Sequence, residues 1–110
     1  MQEGEEDRAD AWFRALSDRT RRDILRRALA EEQSVSALAR NYPMSLTAVQ
    51  KHVAALERAG LLRRRRSGRE TLARADVDGL RAAARLLEEI ERRGREHIDR
   101  IDEMLHSERE

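Results

Sequence analysis

From Ser45 to Gly60 the chain reads SLTAVQKHVAALERAG, and this stretch leaves little freedom over what it becomes. From Leu46 the apolar positions Val49, Val53 and Leu56 recur at spacings of three and four, which is the period of one helical face. Ser45 stands where an N-cap is needed and Gly60 where a left-handed C-terminal cap is needed. Leu61-Leu62, four arginines, Ser67-Gly68 and Arg69-Glu70-Thr71-Leu72-Ala73 follow without a gap. That pattern predicts a strand, a turn at Ser67-Gly68 with a glycine free to take positive φ, and a returning strand. A capped helix therefore runs straight into a hairpin with a charged tip.

Helical spacing extends over most of the remaining chain. Ala9, Trp12, Phe13 and Leu16 make one apolar stripe near the N-terminus, and Ser17-Asp18 offers a cap for a second helix carrying Ile24, Leu25, Ala28 and Leu29. That helix is expected to end near Glu32. Ser34 or Ser36 caps a short helix through Leu38 and Ala39, which must stop before Pro43 because proline disfavours helical geometry in the residue ahead of it. Two short helices around a tight turn read as a helix-turn-helix over residues 34–60, and the hairpin over 61–74 reads as its wing. A long helix starts at Asp76, with Val77, Ala84, Ile98 and Leu105 in one seven-residue register and Leu80, Leu87, Gly94 and Ile101 in the other. Ile90 and Met104 flank them, while Glu91 and Gly94 interrupt the seam. The expected fold is mostly α with a small β-hairpin, a single domain over 1–110.

Composition narrows the function. A chain of 110 residues with 39% hydrophobic content supports a modest core and invites burial shared with a second copy. Without cysteine there is no disulfide framework, thiolate metal site or cysteine nucleophile. The acidic start MQEGEEDRAD is unlike a signal peptide and no apolar run matches a membrane span, so a cytoplasmic protein is expected. The net charge of +1 hides segregation: residues 44–74 hold eight Lys and Arg against only Glu57 and Glu70. Both ends are acidic, so the positive field sits in the middle of the chain, as in a nucleic-acid footprint. No glycine-rich phosphate loop, nucleophile with a base or paired acids in an apolar pocket suggests an enzyme.

The runs ALSDRTRRDILRRAL and SVSALARNYPMSLTAVQKHVAALERAGLLRRRRSGRE together resemble the ArsR-type family of winged helix-turn-helix repressors. The likeness spans about residues 12–75 and rests on several motifs in order. Pro43-Met44-Ser45 with Val49-Gln50-Lys51-His52 is similar to a branch described as lacking metal sites. The resemblance implies a regulator that binds double-stranded DNA as a homodimer, with no membrane partner, no cofactor, and an unidentified small-molecule or protein effector. With Val49, Val53 and Leu56 facing the core, Thr47, Ala48, Gln50 and Lys51 become candidate base readers. Gln suits adenine, Lys suits guanine acceptors or phosphate, and methyl groups suit thymine. Ser45 is a phosphate candidate at the helix N-terminus, and His52 is a packed or phosphate-bonded imidazole. Arg65, Arg66 and Arg69 are the wing residues assigned to DNA, whereas one of Arg63 and Arg64 is expected to lie against the protein.

The same resemblance pairs the first and last helices, 6–16 and 76–105, across two subunits. It places Trp12, Phe13, Leu80, Leu87, Ile90, Ile98 and Ile101 at the dimer interface. Ser34 and Ser36 occupy the positions of a Cys-x-Cys found in metal-sensing relatives, and hydroxyls do not replace thiolates for soft metals. On the last helix Asp76, Asp78 and Glu89 accompany Arg92, whose cation opposes a zinc site, and His97, Asp99, Asp102, Glu103 and His106 form only a loose cluster. Two alternatives stand beside the metal-independent repressor. One is a zinc-responsive repressor using those C-terminal residues, and the other is a helical protein-interaction module with a basic hairpin.

Overall fold

The computed structural model describes residues 4–109. Its elements in chain order are α1 (Glu5–Leu16), α2 (Arg19–Ala30), β1 (Gln33–Ser34), α3 (Val35–Ala39), α4 (Leu46–Arg58), β2 (Leu62–Ser67), β3 (Glu70–Ala75) and α5 (Val77–Arg109). They fall into two compact units, one ending at Leu80 and the other formed by α5 from Arg81 onward. No helix among the described residues is long and apolar enough to cross a membrane.

Short polar side chains start α2, α3, α4 and α5. Asp18 accepts a hydrogen bond from the Arg21 amide at 3.0 Å, Ser34 from Ala37 at 3.0 Å, Ser45 from Ala48 at 3.1 Å and Asp76 from Gly79 at 3.1 Å. Each satisfies an amide that the first helical turn leaves unpaired. Of the two serines open to the α3 cap, Ser34 takes the role. In α1, acidic Glu5, Glu6 and Asp7 open the helix and Arg14 closes it, matching the helix dipole.

The core brings Ile24, Leu38, Val49, Val53, Leu56, Leu61 and Leu62 together with essentially no accessible surface. Burying a side chain of this size is worth about 1.5–3 kcal/mol, so this cluster dominates the stability of the unit. Three antiparallel strands in the order β1-β3-β2 close one side of it. Strand β1 escapes sequence reading because two residues carry no alternation; its pairing of Gln33 with Ala73 and Ser34 with Leu72 creates it. Two residues of the apolar stripes lie outside the core. Phe13 is 44% exposed, because α1 packs through Ala9, Trp12 and Ala15, and Leu29 is exposed in the last turn of α2.

Helix α4 ends in a Schellman turn. The Leu61 amide donates to the Leu56 carbonyl at 3.0 Å and the Gly60 amide to Glu57 at 2.9 Å, with Gly60 at φ +76°. Gly79, in the first turn of α5, packs so closely on Gly60 that a Cβ there would collide with the Gly60 carbonyl. Gly79→Ala is therefore expected to cost about 2 kcal/mol or more by overpacking against backbone. Gly60→Ala, with open space but a left-handed backbone, is expected to cost about 1–2 kcal/mol. Urea unfolding of both variants checks this, and an unchanged midpoint for Gly79→Ala would contradict the close packing.

Candidate nucleic-acid interface

Because Val49, Val53 and Leu56 are wholly buried, the rotation of α4 is set by its core stripe. At 100° per residue, Thr47 and Lys51 then lie opposite that stripe with Gln50 on its flank, and all three are exposed. Ala48 is half-buried and Ser45 is exposed, its hydroxyl already engaged as the α4 cap. His52 is half-buried, with Nδ1 facing the Arg21 Nε at 3.3 Å, so only Nε2 remains for a further partner. Leu46, at the first position of the helix, is exposed beside Thr47. Its exposure was not legible in the sequence, because it sits one turn before Val49 on the apolar period.

The wing pairs without a bulge from Leu62 opposite Ala75 to Ser67 opposite Glu70. This places Gly68 and Arg69 in the turn, with Gly68 at φ +62°, one residue later than the expected Ser67-Gly68. A positive φ at the first loop residue alone is the type II′ pattern, which matches the strand twist. Strict alternation then sorts the arginines by face. Arg64 and Arg66 share the face of buried Leu62 and Ala73, whereas Arg63 and Arg65 share the other.

Acid is not missing from this hairpin, contrary to the impression its sequence gives. Arg63 pairs with Asp76 at 3.0 Å, Arg64 with Glu57 at 2.7 Å, and Arg65 with Glu32 at 2.7 Å. Arg65 makes a fork, its Nε donating to one Glu32 oxygen at 3.0 Å and its Nη2 to the other. The Arg65 and Arg64 guanidiniums hold the Glu32 and Glu57 carboxyls, respectively, below the usual carboxylate range. Arg65, expected as a free wing cation, is therefore occupied. Among the described residues, Arg66 and Arg69 make no ion pair, and both are exposed at the tip.

The turn between α3 and α4 is fastened to α2 by a device that sequence spacing does not reveal. The Tyr42 hydroxyl donates to Asp23 at 2.6 Å, and Arg27 donates to the same carboxylate oxygen at 2.9 Å. Burial first, and then this bond to the carboxylate, push the Tyr42 phenol up to about 12, while the Tyr42 hydroxyl holds Asp23 low.

The residues assigned to dimerisation divide. Trp12 is buried in its own chain, with the Arg8 guanidinium 5.4 Å from its ring centre, so its ring is consumed internally rather than left for a partner. Leu80 is half-buried. Phe13 on α1, and Leu87, Ile90, Ile98 and Ile101 on α5, are exposed. Helix α5 passes through Gly94 without interruption. Among the described residues no group of three His, Cys, Asp or Glu converges, and the His106 Nδ1 lies 2.9 Å from the Asp102 carbonyl.

The short helix α3 leading by a tight turn into the exposed helix α4, with a two-stranded wing behind it, defines a winged helix-turn-helix. Residues 16–65 match a family model described as a helix-turn-helix domain. An ArsR-like transcriptional regulator from Rhodococcus sp. RHA1 is 36% identical, with a TM-score of 0.79, over 88% of this chain and 92% of that one. A homodimeric winged helix-turn-helix DNA-binding domain from Mycobacterium bovis is 25% identical, with a TM-score of 0.65, over 83% of this chain and 90% of that one. NolR from Sinorhizobium fredii is 26% identical, with a TM-score of 0.63, over 82% and 96%. No curated protein matches in sequence. The chain belongs to the ArsR family of winged helix-turn-helix transcriptional regulators.

The Tyr42–Asp23 bond gives a pH signature. Removing the hydroxyl in Tyr42→Phe is expected to cost about 1.5 kcal/mol at neutral pH, since the acceptor is charged. Asp23, with a lowered folded value, contributes above its ordinary 3.8 and loses that contribution as pH falls through the lower folded value. Tyr42, with a raised folded value, contributes fully below its ordinary 10.0 and loses that contribution as pH rises through about 12. The stability gap between wild type and Tyr42→Phe should thus be flat near neutrality and close at both extremes, as measured by urea unfolding across pH. A gap independent of pH would contradict the assignment.

Proposed function

We propose that this protein is a homodimeric repressor that binds an inverted-repeat operator without a metal cofactor. The observation that carries the reading is the exposed Thr47, Gln50 and Lys51 surface of α4, held outward by the buried stripe beneath it. In the major groove, Gln50 would pair with adenine, Lys51 with guanine acceptors, and Thr47 with a thymine methyl group. Ser45, Ala48 and His52 lie close enough in sequence to this surface to join it, through the helix N-terminus and the free Nε2. Arg66 and Arg69 at the wing tip would hold backbone phosphates or a narrow minor groove, setting register rather than reading sequence.

Dimerisation is supported by the exposed Leu87, Ile90, Ile98 and Ile101 on α5 and by Phe13 on α1, apolar surface that a solvated monomer would leave wet. The Mycobacterium bovis relative, described as homodimeric, points the same way. A two-fold dimer would set its reading helices about 34 Å apart, in successive major grooves. Metal independence is supported by Ser34, whose hydroxyl is committed to capping α3, and by the absence of cysteine.

Fluorescence anisotropy on the protein's own upstream DNA tests the reading. Gln50→Ala and Lys51→Ala should each lose about 1–3 kcal/mol on the operator and little on random duplex. Arg66→Ala should weaken both alike and flatten the salt dependence by about 0.9 per wing. Equal losses on both DNAs for all three variants would overturn base reading by α4, and release of the operator by zinc would overturn metal independence. In sedimentation, Ile98→Asp with Ile101→Asp should convert a dimer to monomer; an unchanged dimer would remove α5 from the interface.

A further inference from the structure

Glu32 lies just before β1, two strands away from the wing strand whose Arg65 it grips. The pairing register explains the reach. Ser34, Leu72 and Arg65 form one row across the sheet, so Glu32, two residues before Ser34, falls on the same face as Arg65 and Arg63. The contact is a two-point fork of the geometry a guanidinium also uses for a phosphate diester. The Glu32 side chain is 28% exposed and that of Arg65 58%, so the acid is the more fixed partner and the cation the more solvated.

Resting on the DNA-binding reading above, we propose that Glu32 is an internal substitute for phosphate that withholds Arg65 from DNA. With Glu32 on the Nε and Nη2 edge, a phosphate meets either the remaining Nη hydrogens of a cation already neutralised by the carboxylate, or the same edge after displacing Glu32, and in both cases the carboxylate faces the DNA backbone at close range. The wing accordingly presents Arg66 and Arg69 as its phosphate contacts, and Glu32 limits how tightly the protein grips duplexes of any sequence. This restraint acts on the sequence-independent part of binding, the part that competes with operator occupancy when non-specific sites are in vast excess. Arg63 and Arg64, held by Asp76 and Glu57, face inward restraints of the same kind but at the base of the hairpin, farther from its tip.

The test is a salt titration of binding to random duplex DNA by the wild type, Glu32→Gln, Arg65→Gln and the double variant. Glu32→Gln should bind more tightly than the wild type, with the slope of log affinity against log salt steeper by about 0.9 per wing. Its advantage should then be about threefold larger at about 50 mM than at about 200 mM salt for each wing. Arg65→Gln alone should keep the wild-type slope, and in the double variant it should abolish the gain. Equal or weaker binding by folded Glu32→Gln overturns the proposal. Should Glu32→Gln fail to fold, Arg65→Gln decides: a slope flattened by about 0.9 per wing means Arg65 already meets phosphate and overturns it, and an unchanged slope upholds it. A wild type that binds no duplex at low salt would instead sink the DNA-binding reading itself.

Discussion

Everything in the proposed interface depends on how Val49, Val53 and Leu56 are buried. These three side chains have no accessible surface, and they meet Leu61, Leu62 and Ala73 in the same core. One cluster therefore fixes both the rotation of α4 and the seat of the wing. The Schellman turn at Gly60 joins the two without a flexible linker, and Gly79 packs against it from the start of α5. A helix free to rotate by one residue would carry Gln50 about 100° away from where it now stands.

Charge is arranged with similar economy. Four consecutive arginines on a two-stranded ribbon would repel one another and bind polyanions indiscriminately. Here three of them meet acids from three different elements, Asp76 ahead of α5, Glu57 of α4 and Glu32 ahead of β1. Exposed ion pairs of this kind add little to stability, about 0–1 kcal/mol each. Their consequence lies in where positive charge remains unmatched, which is at Arg66 and Arg69 on the tip.

Much of this was legible in the residues, and what was not has a common cause. Periodicity and capping chemistry are local, so the helices, the roles of Asp18, Ser45 and Gly60, and the hairpin could be read directly. The motifs shared with the ArsR family made the winged helix-turn-helix legible as well. Strand β1, the Asp23–Tyr42 bond and the Glu32–Arg65 fork join residues far apart in sequence, and no local pattern announces them. Counting charge along the chain misled for the same reason, since Glu32 lies 33 residues from the arginine it pairs with. Trp12 misled differently: a large ring on a short terminal helix looked available to a partner, yet its own chain covers it.

The central claim is that α4 reads bases while the wing tip holds the backbone. Interference footprinting on the protein's upstream DNA separates the two, using methylation of guanine N7 for the major groove and ethylation for phosphates. The account predicts base interference in two patches about 10 base pairs apart, centre to centre, with phosphate interference flanking each. Phosphate interference alone, with guanine methylation tolerated throughout the site, would contradict it.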